Sequence, residues 1–322
     1  METPLQKISA ASKEIDKKFQ DVSPTDLLSF KIPFGVPSFH SRYDELKSYD
    51  LLVTTLKSES FNEEQLIFAD KGLSGLPFLK SILPTQQIFF EEAREETFKE
   101  WNWINEFINA NKIKETKAKE VVGIGGGLTL NVAAYVAEML HLPLIQIPTT
   151  VIGMADGSGG KVRLNLIDRG RFFKHYYKSF YEPNRILIDP RFLESLSEKQ
   201  IGVGMGEIIK HGIYQSPDLL KFLLSDTFRP FSDKNSLLKA ILWTASLKEV
   251  CLRFDVEENA NGSRFILRGG HELSDRIEED SHFQIPHGQA VAMGVYRELE
   301  LGKSELLASF VEFCEKFSIV FK

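Results

Sequence analysis

At 322 residues, with 43% hydrophobic and 26% charged residues, the chain can bury a sizeable core and is long enough for two domains. A formal net charge of -6 argues against a non-specific nucleic-acid binder, because no basic excess is left to neutralise phosphates. The two cysteines, Cys251 and Cys314, make neither a disulfide framework nor a cysteine-based zinc motif.

The opening stretch METPLQKISAASKEIDKKFQ lacks the apolar core of a signal peptide. No run approaches the roughly 20 apolar residues of a membrane helix. A reduced, cytoplasmic, soluble protein with neither nucleic-acid nor membrane partners is expected. Strands are predicted at SFKIPFGV (29–36), DLLVTTL (50–56), QLIFAD (65–70) and TQQIFF (85–90). Apolar residues then recur at helical spacing through TFKEWNWINEFINANK (97–112). Next, EVVGIGGG (120–127) runs from a buried strand into glycines, LTLNVAAYVAEMLH (128–141) reads as a helix, and PLIQIPTT (143–150) as a strand. That succession is a βαβ unit, which favours a parallel sheet with helices on its faces. From about Leu193 onward the periodicity is helical. The expected architecture is therefore an α/β domain over residues 1–185 followed by an all-helical domain over 186–322.

Gly123, Gly125, Gly126 and Gly127 sit where a strand meets a helix. Backbone there can approach a pyrophosphate, and the helix N-terminus favours negative charge. The pattern is GxGGG rather than GxGxxG, and a tight turn without ligand explains it too. A second anion-friendly stretch, PTTVIGMADGSGGK (148–161), carries Thr149, Thr150, Asp156 and Lys161 on what reads as a glycine-rich loop past a strand end. Ligands of open α/β sheets bind at such ends. Among seven histidines, His271 and His287 each open a helical pattern, and Glu207 lies in the amphipathic MGEIIKHG. One carboxylate and two imidazoles with open positions suit a catalytic zinc. From spacing alone, helix caps or satisfied core histidines explain the pattern as well.

The blocks GIGGGLTLN, PTTVIGMADGSGGK, GMGEIIKHG, GGHELSDRIE and HGQAVAMG, in this order, resemble dehydroquinate synthase and its relatives, the sugar phosphate cyclases. The likeness runs from about Phe30 to the end. It implies a Rossmann-like NAD-binding α/β domain, a helical metal domain and a site in the cleft between them. By the resemblance, Glu207, His271 and His287 fall on the metal ligands, binding zinc, cobalt or another divalent ion. Asp70, Glu96, Lys99, Gly125, Gly126, Gly127, Asn131, Thr149, Thr150, Asp156 and Lys161 fall on NAD-contacting positions. Asp156, Lys161, Lys210, Lys248 and Arg264 fall on positions touching the substrate or its metal-bound hydroxyl. The chemistry implied is transient oxidation of a ring alcohol by NAD beside a Lewis-acid metal, phosphate elimination, return of the hydride and an intramolecular aldol closure. A homodimer is also implied.

The sequence departs from that family where substrate phosphate and carboxylate would sit. Arg268 replaces an asparagine, Asp275 the second histidine of an HxxxH, Leu140 an arginine reaching the neighbouring subunit, and Asn131 an aspartate. Lys174 and His175 stand for a Lys–Asn pair after a local insertion. A sugar phosphate other than the standard substrate, such as a heptulose phosphate, is therefore expected. Asp275, one turn beyond His271, is expected either to accept from His271 or to pair with Arg268. Arg163, with Arg169 and Arg171, is a candidate to rebuild a phosphate grip. Two other readings stay open: a metal-dependent polyol or alcohol dehydrogenase on the same architecture, and a degenerate homologue that binds NAD and metal without turnover.

Overall fold

The computed structural model describes residues 2–37, 46–84, 88–91, 96–157 and 159–322. Its centre is a seven-stranded sheet. The strands are β1 (Lys31–Pro37), β2 (Leu46–Val53), β3 (Gln65–Asp70), β4 (Ile88–Glu91), β5 (Glu120–Gly125), β6 (Leu144–Pro148) and, after a hairpin, β9 (Arg185–Ile188). Their spatial order is β1-β2-β9-β6-β5-β3-β4. All neighbours pair in parallel except β1 with β2, which pair antiparallel.

The strands read as nearly continuous apolar runs because both faces are covered. Along β3, Ile67 and Ala69 enter one core while Leu66 and Phe68 enter the other. The first core continues into the helical part of the chain; the second closes under the helices Trp101–Ala110 and Gly127–Leu140. Gly123 and Gly125 let the latter helix press on β5, since a Cβ at either would lie 2.7 Å from Ala133 or Thr129. Thus β3, β5, the glycine turn, its helix and β6 form as predicted.

The remaining helices include Glu198–Tyr214, Pro217–Leu224, Lys234–Phe254, His271–Asp280, His287–Leu301 and Leu307–Lys316. Helix Lys234–Phe254 is buried along most of its length and forms the spine of this part.

Several elements differ from the prediction. Pro4–Asp21 is a helix, started by a capping box between Thr3 and Gln6 with proline in its first turn. It packs on helix Lys234–Phe254: Phe19 stacks on Trp243 at 5.4 Å, and Asp16 Oδ1 accepts from Trp243 Nε1 at 2.8 Å. Strand β9 runs across the 185/186 division drawn from sequence. The stretch 148–161 is not a continuous loop, because Thr150 Oγ1 accepts the Gly153 N–H and caps a short helix, Val151–Asp156.

The largest difference follows. The stretch that carries Lys174 and His175, for which no strand is predicted, is an antiparallel hairpin of β7 (Lys161–Asp168) and β8 (Arg171–Phe180). Arg169 and Gly170 both have positive φ (48° and 76°), the pattern of a two-residue type I′ turn that matches strand twist.

Candidate functional site

Each member of the predicted metal trio adjoins a glycine, and the glycines explain how the three meet. Gly206 precedes Glu207 and Gly288 follows His287; a Cβ on Gly206 would lie 1.9 Å from the Gly288 carbonyl oxygen, and one on Gly288 1.9 Å from that of Val203. Only glycine lets these two helices touch backbone to backbone. Gly270, at φ 73°, caps the His271 helix and lies against Val295 and Gly294 of the His287 helix. Three helices are so drawn together that Glu207, His271 and His287 offer ligand atoms all within 4.8 Å of one another. His287 Nε2 is 3.3 Å and His271 Nε2 3.5 Å from Glu207 Oε1.

Each imidazole is oriented from behind. His271 Nδ1 meets the Gly269 carbonyl at 3.0 Å, and His287 Nδ1 meets Glu278 Oε1 at 2.8 Å. Protons on the two Nδ1 atoms leave both Nε2 atoms turned toward the carboxylate, the arrangement metal-binding histidines use. Glu207 is fully buried, its oxygens accept no well-angled hydrogen bond, and Lys210 Nζ lies 2.5 Å from Oε2. Burial pushes Glu207 up, but Lys210 and the two imidazoles outweigh it and hold the carboxyl well below its ordinary value. Burial also pushes His287 down, yet the Glu207 carboxylate 3.3 Å from Nε2 and the Glu278 carboxylate that accepts from Nδ1 raise it to about 10. His271, desolvated and facing Lys210, is pushed to about 4. Two carboxylates thus demand a cation at His287, and the donor set of one carboxylate and two imidazoles fits a divalent metal there.

His271, His287 and Glu278 line one wall of a cavity of about 750 Å³, with Glu207 and Lys210 buried behind them. Gly126, Gly127 and Thr150, at the carboxyl ends of β5 and β6, line the other. A Cβ on Gly127 would meet nothing within 4 Å, so the N-terminus of the 14-residue helix opens onto the cavity, where anions are favoured. The hairpin supplies a third wall with Lys161, Arg163, Lys174, His175 and Lys178. Among the described residues, lysines and arginines of the lining outnumber carboxylates. Burial, then the positive Lys99, Lys174 and Arg163, push His175 down to about 2, leaving a neutral imidazole in a cationic surround.

The predicted residues divide as follows. Lys99, Gly126, Gly127, Asn131, Thr150, Asp156, Lys161, Arg163, Lys174, His175, Lys248, Arg268, His271, Asp275 and His287 line this one cavity. Lys248 pairs with Asp156 at 3.1 Å; burial pushes Asp156 up, and Lys248 brings it below its ordinary value. Lys161 pairs with Glu258. Lys210 lies behind Glu207 and donates to the Leu267 carbonyl at 3.2 Å. Gly125 and Thr149 are joined by a backbone hydrogen bond of 2.9 Å at the strand ends.

Three predicted residues stand elsewhere. Arg264 is half exposed and faces Glu272 at 3.6 Å rather than lining the cavity. Asp70 ends β3, where its carboxylate accepts the Gly72 N–H at 2.7 Å. Glu96 belongs to the turn Glu96–Lys99, its side chain outside the described residues. Asp275 pairs with Arg268 at 3.3 Å and Lys174 at 3.1 Å. Its expected bond to His271 is not formed, because the Gly269 carbonyl takes that proton.

Sequence reading missed Glu278 and Glu258. Glu278 follows His271 by seven residues, two turns along the same helix face, a signal in HELSDRIE that points to the cavity. Glu258 has no comparable local signal.

Comparison with known proteins agrees with this geometry. The family models of the 3-dehydroquinate synthase N-terminal and C-terminal parts match residues 90–202 and 204–319, together well over half of the chain. A 3-dehydroquinate synthase of Sulfurisphaera tokodaii is 33% identical over 186 residues, 57% of this chain and 52% of that protein. The chain therefore spans about half the length of such curated relatives. Among solved structures, 2-epi-5-epi-valiolone synthase from Streptomyces hygroscopicus subsp. jinggangensis, with NAD+ and Zn2+ bound, superposes with a TM-score of 0.71 at 20% identity, covering 85% of this chain and 81% of that one. A 2-deoxy-scyllo-inosose synthase complexed with carbaglucose-6-phosphate, NAD+ and Co2+ gives 0.67 at 20% identity, covering 90% and 82%. At such identities these likenesses establish the fold.

Proposed function

The chain belongs to the 3-dehydroquinate synthase family, and from that premise we propose that it is an NAD- and divalent-metal-dependent sugar phosphate cyclase. It would eliminate phosphate and close a carbocycle, acting as a carbon–oxygen lyase on a substrate other than the standard one of that family. The observation that carries the reading is the convergence of His271 and His287 on the buried Glu207, with both imidazoles on the same cavity as the Gly126–Gly127 turn.

Zinc or cobalt held by Glu207 and the two Nε2 atoms would polarise a ring hydroxyl, and NAD seated on the glycine turn would supply reversible hydride transfer. The chain's own groups fit the rest of the task. Glu278 and the Gly269 carbonyl keep the imidazoles turned inward, and Lys210 offsets the buried Glu207 charge. Lys161, Lys248 and Arg163 lend the cavity the positive potential a sugar phosphate needs. Burial pushes the Lys161 ammonium down, which suits it to exchange a proton with a substrate oxygen, and Asp156 holds Lys248 in place. In this reading Asp70, Glu96, Lys99, Asn131, Thr149 and Thr150 contact the cofactor, two copies of the chain assemble, and the two functional parts divide near β9. Arg268 and Asp275, locked together, support a changed substrate, because they occupy the wall where the family's phosphate and carboxylate contacts are expected.

The test is to offer the purified protein a panel of heptulose phosphates with NAD and zinc. Phosphate release without net NADH is the expected result. Steady NADH accumulation instead indicates a polyol or alcohol dehydrogenase. Neither product, with NAD and zinc demonstrably bound, overturns both in favour of a binding protein without turnover.

A further inference from the structure

The cavity face of the His271 helix carries more than a metal ligand. His271, Asp275 and Glu278 repeat at i, i+4 and i+7 and share one stripe. Their partners form an unbroken line of alternating charge. Arg268 Nη2 lies 3.3 Å from Asp275 Oδ2, and Asp275 Oδ1 lies 3.1 Å from Lys174 Nζ. Lys174 Nζ lies 2.8 Å from Glu278 Oε2, and Glu278 Oε1 lies 2.8 Å from His287 Nδ1.

Lys174 alone in this line comes from the hairpin, and it arrives through an irregularity. Leu164 pairs with Tyr177 and Leu166 with Phe173, so Asn165 by itself opposes residues 174–176. Asn165 Oδ1 accepts the His175 N–H at 2.9 Å, and His175 holds φ 55°, a conformation that non-glycine residues rarely adopt and that is retained where the surroundings over-determine it. Phe172, two residues before Lys174, packs on Phe283 at 4.2 Å. Phe283 lies between Glu278 and His287 and also holds positive φ, 61°. The hairpin therefore grips the metal side of the cavity at two points.

An ordinary fastening ion pair is the simpler account, but it does not explain the burial. The side chains of Glu278 and Lys174 are 2% and 9% exposed, and a pair so buried is a poor source of stability for its desolvation cost. Both carboxylate oxygens are committed, one to the lysine and one to the imidazole. With Oε2 fixed, Oε1 has one position, and the His287 ring has one orientation.

We propose that Lys174 is a positioning residue for His287: by clamping Glu278, it makes the seating of the β7–β8 hairpin a determinant of how tightly the trio Glu207, His271 and His287 holds a divalent cation. This rests on the metal reading above. The hairpin, whose cations face the substrate cavity, thereby reports to the metal as well.

The experiment uses the full chain and measures zinc affinity by chelator competition, Co2+ visible absorption and the melting temperature of the metal-free protein. Glu278→Gln is expected to weaken zinc binding by about 10- to 100-fold, the usual cost of losing a partner behind a ligand. Lys174→Met is expected to weaken it by about tenfold, at the low end of that range, and to shift the Co2+ bands, with Lys174→Arg restoring both. Wild-type zinc affinity and Co2+ bands in Lys174→Met, even with a lower melting temperature, overturn the proposal and leave the metal reading standing. Wild-type protein that binds neither ion overturns both. Should Lys174→Met not fold, Asp275→Asn loosens Lys174 without touching Glu278: weaker zinc binding supports the proposal, and unchanged binding overturns it.

Discussion

Two walls of the same cavity are built by opposite means. The helical wall brings Glu207, His271 and His287 together through backbone contact at Gly206, Gly288 and Gly270, and the charges that support them, Glu207, Lys210 and Glu278, are almost wholly buried. The hairpin wall brings Lys161, Arg163, Lys174 and His175 together through a bulged pair of strands, and only Lys174 is buried to a similar degree. Close helix packing fixes a ligand set with little tolerance. A bulged hairpin can change its side chains while keeping its place, yet the departures from the family resemblance fall on both walls: Lys174 and His175 on the hairpin, Arg268 and Asp275 on the helical side.

If that contrast is right, removing one charge from each wall separates them most. Glu207→Ala leaves Lys210, 1% exposed, without its ion-pair partner among the described residues, and is expected to cost about 3–5 kcal/mol, as for other broken buried pairs. Lys161→Met on the hairpin removes a cation that is 34% exposed from a Glu258 that is 14% exposed, and should cost less, about 1–3 kcal/mol, as for a lost hydrogen bond to a charged group. Urea unfolding of both variants at neutral pH is the measurement; equal losses would remove the distinction.

A pH series sharpens the same point from behind the helical wall. His211 is fully buried, with no partner at Nε2 among the described residues, and desolvation, then Lys210, push it down to about 4. The unfolded chain, with an ordinary value near 6.5, binds this proton first as pH falls. Its contribution is therefore complete above about pH 6.5 and is lost between there and pH 4. The loss is of order 3 kcal/mol. His211→Gln should shrink the fall in the urea midpoint over that window, the remainder coming from His271 and His175, which are pushed down as well; a variant as pH-sensitive as wild type would assign the whole slope to those groups.

Next in size is Gly288→Ala. The added methyl would sit 1.9 Å from the Val203 carbonyl, forcing the Glu207 and His287 helices apart at a cost of about 1–3 kcal/mol, with loss of zinc affinity. Gly127→Ala, whose methyl meets open space, should leave zinc affinity unchanged. Calorimetric titration of both variants with zinc checks the pair.

The walls also differed in how much of them the sequence discloses. The βαβ unit is legible because β5 and its helix are buried, periodic and punctuated by glycine. The trio is legible because MGE, GGH and HGQ place each candidate ligand beside a glycine, although family likeness was needed to choose them. The hairpin is not legible in the same way. Strand β8 is partly exposed along both faces, and its bulge breaks the two-residue period on which recognition of a strand depends. The helix Pro4–Asp21 earns its place through Trp243, more than 200 residues away, a tertiary contact that local pattern does not contain. Asp275 illustrates both limits: its helix face was predictable, but its partner Lys174 comes from the strand that was missed.

The smallest predicted effect tests where the hairpin joins the helix Gly127–Leu140. Asn131 Nδ2 donates to the Gly127 carbonyl at 2.8 Å, and its Oδ1 accepts the Arg163 N–H at 2.7 Å. These partners require an amide, since one contact needs a donor and the other an acceptor. The family resemblance suggests an aspartate at this position. Asn131→Asp would keep the bond from Arg163 but set an oxygen against the Gly127 carbonyl. Its new charge is partly offset by the nearby helix N-terminus. A net loss of about 1 kcal/mol is expected from the broken hydrogen bond, together with faster amide exchange in β7 than in β5. Unchanged stability and exchange would mean that the hairpin is held by its other contacts, such as Val162 and Leu164 in the core and the Ile167 N–H on Glu100, and that asparagine at 131 serves the cavity rather than the fold.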